Sequence, residues 1–404
     1  MLKKINVQDI KLGMYLQEIC GSWMDHPFWK KSFELTDPGD LKTLTECGIK
    51  EVWIDTEKGL DVESDNKGQS EEEAHNLISL KLQQAAQSTA KIVPRVSIQE
   101  ELSQARKIHS KGKEAVSQMF QEARMGKALQ LGEISTLVDD ISQSITRNPE
   151  AFLSISRLKN KDNYTYLHSV AVCALMIALG KQMGLDQAML KDLGMAGLLH
   201  DVGKMMIPDE VLNKPGRLTE EEFTVVKNHP VRGWEILKGS AGVSEMAIDV
   251  CRHHHERVDG KGYPDKLSGE GLSLFARMGA VCDVYDAITS NRCYKDGWEP
   301  AEALRKMAEW QEGHFDNTVF HAFVKTIGIY PSGTLVKLKS TRLAVVIEQS
   351  EKNLLTPIVK VFFSTKGDAP LNPEIIDLSQ STDSILNAED PAKWGFDLKK
   401  LSGI

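Results

Sequence analysis

The sequence has few cysteines and no long apolar run, and each shortage excludes a class of protein. Its six cysteines are widely spaced without a CxxC pair, which argues against a zinc knuckle or dithiol redox site and favours buried free thiols. The longest strongly apolar run, 170–179, is far shorter than the roughly 20 residues that a membrane helix requires. Residues 1–14 lack the apolar region of a signal peptide, so we expect a cytoplasmic protein that does not enter a membrane.

Positive charge is also in deficit. The 404 residues include 49 Lys plus Arg against 57 Asp plus Glu, a formal net charge of −8. This balance argues against a general binder of duplex nucleic acid, which relies on phosphate neutralisation. An anionic ligand must therefore find a local cationic site. The length predicts two or three domains, and no internal repeat of fixed period is visible.

Composition changes along the chain divide it into five segments and predict a mainly α fold. Short apolar stretches with turn signals open the chain, and β-branched runs at 335–338, 343–347 and 358–363 mark its end. The stretches 164–184 and 186–199 are apolar almost all round, which is typical of helices buried on several sides. The predicted segments are a small α+β N-terminal domain (1–56), an acidic polar linker (57–94), linker helices (95–145), an all-helical domain (146–330) and a small β-rich C-terminal module (331–404).

Two of the flanking segments admit more than one interpretation. The acidic stretch 56–92 has no aromatic residue and fits either a mobile linker or a solvated helix. The spaced apolar positions between 97 and 145 suit amphipathic helices that either pack within the chain or pair two chains as a homodimer. The aromatic-rich segment 23–29 fits internal packing better than a surface for a protein partner.

Histidines cluster strongly in the helical domain. Six of the eleven lie between 168 and 255, and the pair His200 and Asp201 ends an apolar predicted helix. Asp283 and Asp286 are three residues apart in the predicted helix 274–288, which places both carboxylates on nearly one face. Burying so many ionisable groups without a metal would be costly.

Mixed imidazole and carboxylate ligands suit iron, manganese or zinc better than calcium or magnesium. The set is too rich for one ion, so the pattern predicts a cluster of two metals with Asp201 as a candidate bridge. Such a pair generates a hydroxide at neutral pH and stabilises both the attacking and the leaving oxygens of a phosphoester. Phosphoester hydrolysis is therefore the natural reaction class.

A series of motifs closely resembles the HD-GYP family of cyclic di-GMP phosphodiesterases, a branch of the HD metal-dependent phosphohydrolases. The motifs occur in family order between about 163 and 330, and the long HHExxDGxGYP string makes a chance match negligible. The region around Gly13 and 23–28 also resembles a small domain that often precedes the HD-GYP domain in one bacterial subgroup. The matching strings are HDVGK at 200–204, NKPG at 213–216, HP at 229–230, HHERVDGKGYP at 254–264 and DVYDA at 283–287.

The resemblance implies an all-helical HD-GYP catalytic domain with metal ligands at His168, His200, Asp201, His229, His254, His255 and Asp283. It implies catalytic roles for Asp201 and for Lys204, which matches the family lysine beside the scissile phosphate. The implied substrate site comprises Lys204, Arg292, the pocket-shaping loop residues Gly262, Tyr263 and Pro264, and Asp286, which we expect to support the site rather than to bind a metal. His253 matches no motif position, so we do not expect it to bind a metal.

Two positions depart from the family pattern. Some members hold a third metal with a glutamate four residues before the first histidine, and Tyr164 at that position argues against a third metal here. Cys293 stands where the family usually has a proline, which alters the loop of Arg292 without touching a ligand. The expected cofactors are therefore two divalent ions, iron or manganese.

The function implied by the resemblance is hydrolysis of cyclic di-GMP to pGpG, GMP or both in bacterial second-messenger signalling. A hydroxide activated by two metals would attack phosphorus while Lys204 offsets charge on the phosphoryl oxygens. The alternatives are a phosphodiesterase for another cyclic dinucleotide such as cyclic GMP-AMP, a catalytically weak sensor or protein-interaction module, and a generic HD nucleotidase. Intact motif ligands favour the enzyme over the sensor.

Overall fold

The computed structural model describes residues 1–20, 32–47, 49–62, 68–86, 96–127, 129–157, 164–212, 214, 216, 218–290, 297–350, 353–396 and 401. Among the predicted features, the aromatic segment 23–29 falls in a gap between these ranges, as do Arg292 and Cys293. The chain divides into two compact units, one formed by 1–84 with 305–312 and the other by 85–304 with 313–404.

The first unit is built on a five-stranded antiparallel sheet with strand order β3-β2-β4-β1-β5. Val52 and Ile54 of the central strand β4 are fully buried in its core with Leu44 of helix α1. Asp37 begins α1 by accepting a hydrogen bond from Gly39 N, and Pro38 occupies the first turn. The predicted α+β fold is confirmed. The elements are β1 (Leu2–Asn6), β2 (Tyr15–Cys20), β3 (Phe33–Glu34), α1 (Pro38–Glu46), β4 (Glu51–Asp55), β5 (Gln69–Ser70) and α2 (Glu71–Ala86).

The second unit is mainly helical, as predicted. Its helices are α3 (Ile98–Arg124), α4 (Leu131–Arg147), α5 (Pro149–Ser156), α6 (Tyr164–Gln182), α7 (Gln187–Leu199), α8 (Asp209–Leu212), α9 (Glu220–Lys227), α10 (His229–Lys238), α11 (Glu245–His253), α12 (Leu274–Thr289), α13 (Pro300–His314) and α14 (Asn317–Ile327). A 3-10 helix, Val202–Met206, connects α7 to α8. The middle of α13 groups with the first unit, where the buried Lys306 Nζ lies 2.7 Å from Glu18 Oε1.

Helices α3 and α4 pack inside the second unit. A capping box between Ser97 and Glu100 begins α3, and its buried face contacts α4, α5 and α6. The buried carboxylate of Glu101 accepts hydrogen bonds from Ser144 Oγ at 2.7 Å and from Arg147 Nε at 2.6 Å. The sequence allows the helices of 97–145 either to pack within the chain or to pair two chains. In the structure, the described residues of this region pack within the chain.

Glycines allow α6 and α7 to approach closely. A side chain at Gly197 would place its Cβ only 2.8 Å from Cys173 Cα, and one at Gly194 would lie 2.8 Å from Ile177 Cδ1. The middle of α6, residues 170–179, is apolar and buried, which is typical of a helix that packs on several sides. This contact fixes the relative positions of His168 on α6 and His200 at the end of α7, whose ring centroids lie 5.1 Å apart.

The end of the chain forms the predicted β module. Its antiparallel sheet has strand order β10-β6-β7-β8-β9 and buried residues on both faces. Across all described residues, no helix combines the length and apolar character needed to cross a membrane. The elements are β6 (Leu335–Leu338), β7 (Arg342–Glu348), β8 (Ile358–Ser364), β9 (Ala369–Asp377), β10 (Ile385–Ala388) and the short helix α15 (Pro391–Trp394).

Candidate metal centre

Five histidines and two aspartates meet in one buried cluster in the second unit. They come from five separate parts of the chain, and none is more than 9% exposed. All seven are residues that the sequence predicts as metal ligands. The contributing elements are α6 (His168), the end of α7 (His200, Asp201), the start of α10 (His229), the end of α11 (His254, His255) and α12 (Asp283).

The position of Asp201 depends on a close backbone approach. After His200 the chain enters the 3-10 helix, which packs against α10. A Cβ at Gly203 would lie 2.0 Å from His229 O and 2.4 Å from Gly233 N, so only glycine fits there. This approach brings Asp201 beside His229.

The carboxylate of Asp201 lies between two groups of side chains. Its Oδ2 is 3.5 Å from His168 Nε2 and 3.4 Å from His200 Nε2. Its Oδ1 is 3.2 Å from His229 Nε2 and 3.8 Å from His254 Nε2. One carboxylate therefore faces two sets of nitrogen donors, which is the geometry of a bridging ligand.

Two triads of potential ligands flank Asp201. One comprises His168, His200 and Asp283, and the other comprises His229, His254 and His255. Within each triad the donor atoms lie within 4.8 Å of one another. Asp283 reaches both triads, because its Oδ1 is 3.0 Å from His168 Nε2 and its Oδ2 is 3.6 Å from His255 Nδ1.

Hydrogen bonds outside the cluster orient four of the imidazole rings. A carbonyl or an ionised carboxylate can only accept, so the Nδ1 atoms of these rings carry a proton and Nε2 is the ring nitrogen that faces the cluster. Rings held in this way are typical of metal-binding histidines. The contacts from Nδ1 are His168 to Asp286 Oδ2 at 2.6 Å, His200 to Gly197 O at 2.8 Å, His229 to Val226 O at 2.8 Å and His254 to Cys251 O at 3.0 Å.

Buried polar atoms without hydrogen bonds mark the cluster as a site for a cation. His200 Nε2, Asp201 Oδ1 and His255 Nδ1 are buried and make no hydrogen bond of acceptable geometry with the residues that the structure describes. Buried polar groups in proteins are normally paired, so these atoms indicate a missing partner. Imidazole nitrogens and carboxylate oxygens are ligands for divalent metals, and the residues present fit such an ion.

The electrostatics favour the metal-binding forms of Asp201 and His254, whereas at His200 the carboxylates of Asp201 and Asp283 outweigh burial and raise the pKa to about 10. Burial alone would raise the pKa of the Asp201 carboxyl, but Lys204 and His200 outweigh it and hold that pKa well below its usual range. Burial lowers the pKa of His254 to about 3, and the neighbouring His200 adds to the effect. An ionised aspartate and a neutral histidine are the states required for metal binding.

The loop with Gly262, Tyr263 and Pro264 lies against the cluster. The Tyr263 ring stacks on His255 with centroids 4.8 Å apart, and Tyr263 N donates to His255 O. A Cβ at Gly262 would lie 2.4 Å from Glu256 Cα, so this position accepts only glycine. The predicted pocket-shaping loop thus forms one wall of the site.

The predicted polar residues around the cluster take different positions. Lys204 is partly exposed, and its Nζ lies 2.5 Å from Asp201 Oδ2. Asp286 is buried behind His168 and bonds to its ring, which fits a supporting residue better than a substrate contact. The position of Arg292 lies outside the described residues.

Several residues near the site have no motif signal. Asp265 follows the GYP string directly, and its carboxylate accepts from Arg252 Nε at 2.6 Å and from His253 Nε2 at 3.0 Å. His253, for which the sequence predicts no role, therefore helps to fix the loop to α11. Lys227 lies near the Tyr263 ring. The only sequence clue to these contacts is proximity to a motif.

Comparisons with known proteins identify the family. A model described as "HD domain" matches residues 141–319, and one described as "Domain of unknown function (DUF3391)" matches residues 2–134. The cyclic di-GMP phosphodiesterase PA4108 of Pseudomonas aeruginosa is 50% identical over 98% of this chain and 94% of its own length. The chain belongs to the HD-GYP family. The family predicted from the motifs is thereby confirmed.

More distant relatives match parts of this HD-GYP chain. The cyclic di-GMP phosphodiesterase response regulator RpfG of Xanthomonas campestris is 36% identical over 52% of this chain and 56% of its own. The 3'3'-cGAMP-specific phosphodiesterase 1 of Vibrio cholerae is 35% identical over 43% of this chain and 41% of its own. Relatives named for two different cyclic dinucleotides therefore both resemble this chain.

Proposed function

We propose that this HD-GYP chain is a metal-dependent phosphodiesterase that hydrolyses cyclic di-GMP to pGpG, GMP or both. The observation that carries the proposal is the buried cluster in which Asp201 faces two sets of donor atoms. The similarity to a cyclic di-GMP phosphodiesterase along almost the whole chain supports this substrate. Hydrolysis of the messenger would make the chain part of bacterial second-messenger signalling.

We propose that the seven clustered residues would hold two divalent metals, with Asp201 as a candidate ligand of both. Bound as a pair, such ions lower the pKa of water and stabilise the oxygens of a phosphoester. Iron or manganese suits the mixture of imidazole and carboxylate. A third metal is not proposed, since Tyr164 supplies no carboxylate at the relevant position.

The chain's own side chains complete the site. Lys204 holds a positive charge beside Asp201 at the partly exposed edge of the cluster, where it can offset charge on phosphoryl oxygens. Tyr263 forms the wall next to His255, and Asp286 orients the His168 ring. We propose Arg292 as a further substrate contact on its family motif.

Cyclic GMP-AMP is the second candidate substrate. The relative from Vibrio cholerae that is named as specific for this dinucleotide is 35% identical over part of the chain. The motifs contain the proposed metal ligands and phosphate contacts, and none of their residues is assigned to the bases of the dinucleotide. Assays should therefore compare both dinucleotides.

Domain organisation, location and assembly complete the proposal. We propose the five predicted segments as the domain organisation. A cytoplasmic location agrees with the free thiols of the described cysteines, which persist in reducing compartments. A homodimer through the linker helices and binding of protein partners stay predictions, because α3 and α4 direct apolar faces into their own unit.

The test combines metal counting with product analysis. Protein purified without oxygen and loaded with iron or manganese is incubated with each cyclic dinucleotide, and the products are separated by chromatography. We expect two metals per chain and formation of pGpG or GMP. Asp201→Ala should lose metal and turnover, whereas the control Asp139→Ala, a surface partner of Lys191, should keep both. Bound nucleotide without turnover would contradict the enzyme and favour the sensor, and a metal-free wild type would overturn the ligand assignment.

A further inference from the structure

A cyclic dinucleotide presents two phosphodiesters in one ring, and only one can be cut at a time. If the proposed function holds, the metals and Lys204 face the phosphate under attack. The second phosphate keeps its full negative charge near a chain whose formal net charge is −8. A further cation near the cluster would therefore favour binding of the second phosphate.

Lys227 supplies a cation one aromatic ring away from the cluster. It is exposed and ends α9, two residues before His229. Its Nζ lies 5.7 Å from the centroid of the Tyr263 ring, and that ring stacks on His255 at 4.8 Å. The ammonium is thus at the outer edge of the wall that Tyr263 forms.

The helix positions this lysine firmly. Phe223 is four residues earlier, on the same face of α9, and its ring centroid is 4.5 Å from Lys227 Nζ. A capping box between Thr219 and Glu222 begins the helix, and Asn228 joins it directly to α10. Lys227 is therefore placed by the same junction that places His229.

Lys227 differs from its lysine neighbours in its electrostatic environment. Lys204 pairs with Asp201, and Lys214 pairs with Glu222 at 2.6 Å. No carboxylate lies within ion-pair distance of Lys227 among the residues that the structure describes. A lysine held by two rings and free of a carboxylate is available to an anion.

We propose that Lys227 forms a second anion subsite, which binds the phosphate of the cyclic dinucleotide that is not being cut. This inference rests on the proposed function and adds a residue that no motif identifies. It predicts that Lys227 contributes to binding of a substrate with two phosphates. A substrate with one phosphodiester needs only the metals and Lys204.

The test compares Lys227→Met and Lys227→Arg on two substrates, cyclic di-GMP and bis(4-nitrophenyl) phosphate. For Lys227→Met we expect KM for cyclic di-GMP to rise about tenfold with little change in kcat, as for loss of one charge-assisted contact. Hydrolysis of the single diester should stay the same. Lys227→Arg should restore KM, and KM of Lys227→Met should depend less on salt than that of the wild type.

Lys238→Met is the matched control. Lys238 Nζ also lies over an aromatic ring, 4.7 Å from the centroid of Trp234, and its loss changes net charge equally. It ends the helix that His229 begins, roughly 13 Å farther along the axis. Its KM should match the wild type.

Three outcomes would overturn the subsite. An unchanged KM in Lys227→Met would show that the lysine does not contact substrate. An equal loss of kcat on both substrates in Lys227→Met would show that Lys227 only positions Tyr263. An equal rise of KM in Lys238→Met would show that the effect comes from the change in net charge rather than from a contact with substrate. A wild type that cleaves the single diester but no cyclic dinucleotide would instead refute the proposed function itself.

Discussion

At the scale of single residues, the orientation of the candidate metal ligands depends on hydrogen bonds to the ring nitrogens that face away from the cluster. The rings of His200, His229 and His254 donate to backbone carbonyls, which are fixed by the helices themselves. His168 differs, because its Nδ1 donates to a side chain, the carboxylate of Asp286. That contact is therefore open to a substitution that leaves the backbone intact.

Asp286→Asn should weaken metal binding about 10- to 100-fold, since an amide holds the His168 ring less firmly and makes its Nε2 less basic. The affinity is measured by competition with a chelator of known affinity. Asp139→Asn, at a surface carboxylate, is the control and should bind metal as the wild type does. Equal affinities in all three proteins would show that Asp286 has no role in orienting the ring.

Residue types and their spacing single out the histidine-rich region and the pair His200 and Asp201 on apolar helices. The full set of seven, with His254 and His255 rather than His253, follows only from the resemblance to the HD-GYP motifs. The contacts of Asp265 and Lys227 are not predictable in this way. They arise only when the loop after α11 folds back onto that helix and onto α9. No periodicity or motif encodes such a closure, and both residues resemble ordinary surface charges in the sequence.

At the scale of elements, the apolar runs predict the helices well. The predicted helix 274–288 is observed as Leu274–Thr289, and the strand predicted at 335–338 is Leu335–Leu338. Elements of this kind are defined by local hydrophobicity. The short Asp209–Leu212 helix lies in a stretch that reads as a loop, since Gly and Pro signals there outweigh a single helical turn.

Gly203→Ala should destabilise the protein by about 2 kcal/mol, because the added Cβ would overlap His229 O and force the 3-10 helix away from α10. The displacement carries Asp201 with it, so metal content should fall as well. Urea unfolding and metal counting measure the two effects. Gly132→Ala, where a Cβ would meet no atom of the described residues within 4 Å, is the control and should be neutral or slightly stabilising. A Gly203→Ala protein with wild-type stability would contradict the close approach.

At the scale of the molecule, the family models and the compact units divide the chain at different places. The match to the domain of unknown function continues to residue 134, whereas the first unit ends at 84. Helix α3 lies between these limits and packs on α4, α5 and α6 of the second unit. A helix assigned by sequence to the N-terminal family thus contacts the helix that carries His168.

Arg147→Met should destabilise the second unit by about 3 kcal/mol. Glu101 on α3 is 3% exposed, and without Arg147 its carboxylate would stay buried with Ser144 as its one remaining side-chain partner among the described residues. Because α3 packs on α6, release of metal on heating should coincide with unfolding and move to lower temperature with it. Calorimetry and metal release are followed on the same sample.

The matched control joins the same two helices at the surface. Lys111 on α3 lies 3.2 Å from Asp140 on α4, with side chains 59% and 36% exposed. Loss of that pair in Lys111→Met should cost less than about 1 kcal/mol, since solvent screens it. If Arg147→Met cost no more than this control, the buried pair would not secure α3 to the unit. If metal were released well before unfolding in every variant, the metal centre would be insensitive to α3, and the N-terminal family would have no path to the site through this helix.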